Sequence, residues 1–394
     1  MHLRRITSVK RLEGKRVLVR IDANVPIEHG KAVDGAHGRI AKAAEGIKWL
    51  MKQKARVIVV THLGRPKSKS DRSARLAPIA ARLSHCLQAP VLYNGATFGK
   101  KADDLLARLR PGGVALLENI RFEAGEEKND AKLAKQLAAY ADMFVNDAFA
   151  VSHRAHASVA AIQKYLPSYA GPIMIHEVAE LMKIMKKPKK PFALVIGGAK
   201  METKIGLIEK LGPKLSNIFI GGALATTFLA AQKINVGKSL YEKSELATAK
   251  RILARFKDKV VLPEDVRVVT SLATKKRPEI RSADAIKASD QIIDIGPKSA
   301  RRIVRELHKA KTIVWNGPLG MCEVPAFCES SALIARAIAA ISKAETVVGG
   351  GDTLPLVESL HLGERYTLLS TGGGAMLAFL SGEELPGVQP LITK

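Results

Sequence analysis

TVVGGGDTLP (346–355) joins a β-branched run to three glycines, one carboxylate and the start of a helical pattern. Glycine removes the Cβ, so the main chain there can approach a ligand closely. The first N–H groups of the helix that follows have no partner in the helix and favour an anion. This strand–loop–helix word decides the fold because the chain repeats it. RVLVR (16–20), RVIVV (56–60), VALL (114–117) and MFVN (143–146) lead, followed by FALVI (192–196), NIFI (217–220), VVL (260–262), TIVW (312–315), ETVV (345–348) and YTLLS (366–370). Helical patterns lie between them at 39–53, 75–87, 130–140, 244–256, 298–310 and 329–341. Apolar runs without polar alternation indicate strands buried on both faces, hence parallel sheets. Sustained strand–helix alternation predicts an α/β, doubly wound architecture. The Lys/Pro-rich MKKPKKP (185–191) divides the runs into two such series, and 394 residues suit two domains.

The totals exclude several classes. No apolar run approaches the roughly 18 residues of a membrane span, and the N-terminus has no secretory pattern. Cys86, Cys322 and Cys328 are an odd number without zinc-site spacing and read as reduced thiols. The formal net charge of +26 points either to an anionic partner or to a solvated basic surface. The Lys and Arg are spread along the whole chain without a basic tail, which favours the second reading. VGKS (236–239) fails as a phosphate-binding P-loop, because Gln232 stands where the motif needs its first glycine.

Open α/β sheets bind ligands beyond the carboxyl ends of their strands. In the first series those ends carry IDANVP (21–26), THLGRP (61–66), ENIRF (118–122) and NDAFAVSHRAH (146–156). They supply Arg20, Asp22, Asn24, His62, Arg65, Arg121, His153, Arg154 and His156, joined by Arg39 before a helix. Arginine suits planar, bidentate recognition of phosphate and carboxylate, so this edge fits a small, highly charged acid. The second series ends in GGAK (197–200), GGALATTF (221–228), NGPLG (316–320), GGGDT (349–353) and TGGGA (371–375). Glycine amides, Lys200, Lys204 and Asp352 fit a polyphosphate with Mg²⁺, which takes one or two carboxylates plus phosphate oxygens. Asp352 alone also reads as a helix N-cap.

Taken in order, VLVRIDANVP, THLGRP, ENIRF, SHRAH, GGAK, VGKSLYE, DIGPKS, WNGPLG, GGGDT and STGGGA resemble phosphoglycerate kinase, over residues 10 to 390. The resemblance implies a monomeric, cytoplasmic glycolytic enzyme with two Rossmann-like domains and a cleft between them. It would transfer a phosphoryl group between 1,3-bisphosphoglycerate and ADP, giving 3-phosphoglycerate and ATP, with Mg²⁺. It places a phosphoglycerate domain at 1–170, a hinge helix at 171–187, a nucleotide domain at 188–373 and a segment at 374–394 that returns to the first domain. The same resemblance implies that Asp22 and Asn24 orient the acid, with Arg39, His62, Arg65, Arg121 and Arg154 around it and Arg39 nearest the transferred group. Lys200 and Lys204 would reach the nucleotide phosphates, with Gly198, Asn316, Gly350, Gly351 and Thr353 beside them. Gly221 and Gly222 would wall the adenine, Glu323 would hold the ribose, and Asp352 would bind the metal. Gly372, Gly373 and Gly374 would face the transferred group with their N–H groups. Departures from the family pattern are Thr61, Ala150, Thr203, Ala223, Cys322, Ala378 and Glu383. A basic nucleic-acid-binding protein on the same fold is the alternative; nucleic acid and membrane are not expected as partners.

Overall fold

The computed structural model describes residues 1–35, 38–273 and 277–393. The chain forms two compact units, Met1–Ala179 with Glu384–Lys394, and Glu180–Glu383.

The first unit holds β1 (Arg16–Ile21), a short ribbon of β2 (Ile27–Glu28) and β3 (Lys31–Ala32), then β4 (Arg56–Val60), β5 (Val91–Leu92), β6 (Val114–Leu116), β7 (Met143–Asp147) and β8 (Ser168–Ala170). Its helices are α1 (Arg39–Lys52), α2 (Ala77–Leu87), α3 (Lys100–Ala107) and α4 (Ala131–Ala138). Six strands form a parallel sheet in the order β5-β6-β4-β1-β7-β8. The unbroken apolar runs have the expected cause. Along β1, Val17, Val19 and Ile21 join one core and Leu18 the other, and β4 divides in the same way. Each such side chain, fully buried, contributes about 1.5–3 kcal/mol. The chain winds outward from β1 to β4 and resumes on the other side with β7, so the switch in strand order lies at the β1/β7 carboxyl ends.

A helix, α5 (Pro172–Lys186), carries the chain across the unit boundary after Ala179. The second unit adds β9 (Phe192–Ile196), β10 (Asn217–Ile220), β11 (Val260–Val261), β12 (Asp265–Val269), β13 (Glu279–Ser282), β14 (Gln291–Ile295), β15 (Thr312–Asn316), β16 (Glu345–Gly349) and β17 (Leu368–Ser370). Its helices are α6 (Glu202–Leu211), α7 (Gly222–Ala231), α8 (Leu246–Arg255), α9 (Pro297–Leu307), α10 (Glu329–Ala339), α11 (Thr353–Ser359) and α12 (Gly373–Leu380). The order β11-β10-β9-β15-β16-β17 is again all parallel, with its switch at β9/β15.

Three features differ from the sequence reading. The second unit also holds an antiparallel sheet, β13-β12-β14, where no strands were expected. Its edge strand EIRS is largely exposed and carries no apolar run. The expected return at residue 374 begins instead at Glu384, because α12 belongs to the second unit. There Met376 packs on Gly349 and Ser381 on Gly206. Cys322 and Cys328 are disulfide-bonded rather than reduced, and Cys86 is free. Six positions of separation hid a pair that the loop before α10 folds together.

VGKS is a turn after α7: Lys238 N–H donates to the Asp290 carbonyl at 2.7 Å, and Gly237 has φ +58°.

Candidate active site

In the first unit the loops beyond β1, β4 and β6 are laced together by their own polar groups. Thr61 Oγ1 donates to the Ile21 carbonyl at 3.0 Å and accepts Ala23 N–H at 3.1 Å. Asn119 accepts the N–H groups of Leu63 and Arg121 and donates to the carbonyls of Leu63 and Ala74. On this frame Asp22, Asn24 and Arg39 meet. Arg39 Nη1 donates to Asp22 Oδ2 at 2.8 Å and to the Asn24 carbonyl at 3.2 Å, while Asp22 Oδ1 accepts Asn24 N–H at 3.1 Å. Asn24 Oδ1 accepts Gly64 N–H at 2.8 Å. A cavity of about 580 Å³ opens beside Asn24, Gly64 and Arg65.

The cations sense one another. His62 is buried, and its pKa lies well below the usual value because of that burial and the charges of Arg20, Arg121, His156 and Arg39. The Arg121 pKa is lowered by burial, with Arg154 and Arg65 adding like-charge repulsion against Glu127 and Glu126. Arg121 Nη1 donates to the Gly64 carbonyl at 2.6 Å, and Arg154 Nε to His153 Nε2 at 3.3 Å. Cations gathered this way favour an anion among them. Arg20, Glu126 and Ser158 also belong to this cluster. Arg20 was visible at a strand end; no pattern marks Glu126 or Ser158.

In the second unit the β9 and β15 loops interlock at the switch. Gly197 N–H donates to the Asn316 carbonyl at 3.0 Å and Gly198 N–H to the Pro318 carbonyl at 2.8 Å. Gly222 N–H reaches the Leu319 carbonyl at 2.9 Å. Gly198 has φ +85°, and a Cβ there would meet Lys204 Nζ. Lys204 is 6% exposed and donates to the Gly197 carbonyl. Burial lowers its pKa to about 8, against the pull of Asp352 and Glu242.

Asn316 and Thr353 lie inside this framework. Asn316 Nδ2 donates to the Gly349 carbonyl at 2.9 Å, and Thr353 Oγ1 accepts Gly317 N–H at 3.0 Å. Gly372 is the N-cap of α12, and Gly373 and Gly374 open that helix, Gly373 lying against the Gly350 backbone. Lys200 is exposed. A cavity of about 340 Å³ is lined by Gly198, Gly222, Ala223, Asp294, Glu323 and Asp352, among others. Asp294, buried in its wall, has its pKa pushed up to about 7 by burial. β14 supplies it, so the overlooked sheet forms part of this site.

Asp352 precedes α11 but its side chain makes no capping hydrogen bond, so the N-cap reading is not realised. The carboxylate is exposed at the cavity. Among the described residues no group of three His, Cys, Asp or Glu could hold a metal by itself. One free carboxylate fits Mg²⁺ that arrives largely held by phosphate oxygens.

Two parallel sheets, one ending in cations and the other in glycine amides with a buried lysine and a free carboxylate, define an α/β phosphotransferase site set. A family profile described as phosphoglycerate kinase matches residues 6–383, and the chain belongs to that family. It is 43% identical over 386 residues to the phosphoglycerate kinase of Pelotomaculum thermopropionicum, covering 97% of this chain and 98% of the relative. It is 44% identical over 384 residues to that of Thermomicrobium roseum, covering 97% of each. The phosphoglycerate kinase structure from Coxiella burnetii aligns with a TM-score of 0.85 at 37% identity, covering 99% of both chains. That from Pyrococcus horikoshii aligns at 0.87 and 30% identity, covering 99% of this chain and 98% of the other. The chain is accordingly a kinase, a phosphotransferase of glycolysis with the activity of its family. The nucleic-acid-binding alternative finds no support in these comparisons.

Proposed function

We propose that the first unit binds 3-phosphoglycerate or 1,3-bisphosphoglycerate and that the second binds ATP or ADP with Mg²⁺. The phosphoryl group then passes between the acid's carboxylate and the β-phosphate of ADP. Both nucleophiles are ionised at neutral pH, so no side chain has to remove a proton. Positioning and charge neutralisation carry the catalysis. The single observation behind this division is chemical: converging cations in one unit, amide-rich backbone with Lys204 and Asp352 in the other.

Asp22 and Asn24 orient the acid, and His62, Arg65, Arg121 and Arg154 hold its charges. Arg39, braced by Asp22, reaches the transferred group. Lys200, Lys204 and the N–H groups of Gly372, Gly373 and Gly374 neutralise charge on the phosphoryl oxygens. Gly198, Gly221, Gly222, Gly350 and Gly351 let the nucleotide approach the main chain. Asn316 and Thr353 hold that loop frame, and Glu323 takes the ribose. Asp352 would hold Mg²⁺, which supplies charge neutralisation between the phosphates. The ligands must meet and exclude water, so the proposal includes hinge-bending closure with α5 as the hinge. It also includes a cytoplasmic, monomeric enzyme. A coupled assay of 3-phosphoglycerate-dependent ADP formation, run with and without Mg²⁺, tests this reading. Turnover should need both, and turnover indifferent to the acid would reject it.

A further inference from the structure

Beneath the cations of the first unit lies one buried carboxylate. Glu126 is 1% exposed. Its Oε2 accepts Ser158 N–H at 2.9 Å, and its Oε1 accepts the Ser158 hydroxyl proton at 2.6 Å. With its hydroxyl hydrogen directed at Glu126, Ser158 Oγ accepts Arg20 Nε–H at 3.0 Å. Arg20, also 1% exposed, donates from Nη1 to the Ile21 carbonyl. Its Nη2 lies 3.1 Å from His62 Nδ1. A guanidinium has donors only. His62 Nδ1 must therefore be the unprotonated acceptor, which leaves the ring neutral with its proton on Nε2. Glu126 is the foremost opposite charge acting on the buried Arg20, ahead of Asp22. His156 Nδ1 lies 3.8 Å from Glu126 Oε1, so this carboxylate is also next to a second histidine of the cluster.

We propose that Glu126 is a positioning residue of the acid-binding site, fixing the Nε2–H tautomer of His62 through Ser158 and Arg20. His62 then offers the acid a hydrogen-bond donor instead of a full charge, and the arginines carry the electrostatics. Replace the carboxylate by an amide and Arg20 loses its main counter-charge, while the Ser158 N–H and hydroxyl are left one acceptor oxygen between them. The geometry that aims Nη2 at Nδ1 is then no longer held. The inference rests on the reading of this cluster as the phosphoglycerate site, but its primary test does not.

The test is ¹⁵N NMR of histidine-labelled, ligand-free full-length protein at pH 7, with His62 assigned by the His62→Gln variant. The wild type should show His62 with Nδ1 unprotonated and Nε2 protonated. In Glu126→Gln the ring should become a mixture of tautomers. The KM for 3-phosphoglycerate should rise about tenfold or more, with the KM for ATP little changed. Should Glu126→Gln not fold, Ser158→Ala should give the same tautomer mixture and Ser158→Thr, which keeps the hydroxyl, should restore the wild-type spectrum. A wild-type His62 protonated on Nδ1, or a variant that folds and leaves tautomer and KM alone, overturns the proposal. A protein with the expected tautomer but no 3-phosphoglycerate-dependent turnover would sink the functional reading and leave the relay standing.

Discussion

Arg39 Nη1 and Asp22 Oδ2 stand 2.8 Å apart, so a half-buried guanidinium is braced by a buried carboxylate just beyond β1. Arg39 begins α1, and Asp22 follows the innermost strand of the sheet. A rigid strand end thereby aims a helix residue.

Arg39→Ala should lower kcat at least a hundredfold, the usual cost of about 2.7–4 kcal/mol for one lost transition-state donor. The circular dichroism spectrum should be unchanged. Asp22→Asn should have a smaller effect, because the amide oxygen still accepts from Nη1. Steady-state kinetics decide this, and near-normal turnover in Arg39→Ala rejects its role.

Two glycines of the second unit, Gly351 and Gly373, separate packing from ligand approach. A Cβ at Gly373 would stand 2.7 Å from the Gly350 Cα, whereas one at Gly351 meets nothing within 4 Å. Gly373→Ala should cost about 1–3 kcal/mol of stability, as overpacking does. Gly351→Ala should leave the melting temperature alone and raise the KM for ATP. Thermal melts with nucleotide titrations read both, and an unaltered nucleotide KM in Gly351→Ala would show that its backbone does not approach the phosphates.

Lys204 titrates near pH 8 in the free protein, with burial as the main cause. Only its charged form neutralises phosphate. The kcat/KM for nucleotide, which reports the free enzyme, should fall about tenfold per pH unit above that value. Lys204→Arg cannot deprotonate in this range and should lose the alkaline limb, whatever its absolute rate. A wild-type profile flat to pH 10 contradicts the assignment.

Asp147 accepts Met174 N–H at 3.1 Å at the start of α5 and is fully buried. Burial raises its pKa from 3.8 to about 7. The folded state thus holds this proton more tightly than the unfolded state, and the associated stability is lost as pH rises from about 4 to 7. Asp147→Asn keeps an acceptor for the helix and cannot ionise. Its melting temperature should gain on that of the wild type across this window and stay level above it. A constant difference from pH 4 to 8 would show that Asp147 does not titrate there.

The Cys322–Cys328 bridge closes a loop of six residues' separation next to Glu323. A loop of that size contributes about 2 kcal/mol in the chain-entropy account. Thiol titration of unreduced, denatured protein should find one thiol, Cys86, and three after reduction. Three thiols before reduction would restore the reading of all cysteines as reduced.

The sequence alone determined the two parallel sheets, because strands buried on both faces carry unbroken apolar runs, as VLV (17–19) and FALVI (192–196) do. It also placed the ligand-facing loops, since a doubly wound sheet leaves the carboxyl ends of its strands open. Asp22, His62, Lys204 and Asp352 were legible because each stands in a short word beside a strand. Glu126 and Ser158 were not, because they are each other's partners across 32 positions and burial, not local pattern, makes them matter; Asp294 opens DIGPKS but only its burial in the cavity wall singles it out. Only the tertiary structure could bring Arg20 to Ser158 and His62, join Cys322 to Cys328 and keep α12 with the second unit. The first and the last depend on contacts between distant segments and the disulfide on how one short loop folds, and no local periodicity records either.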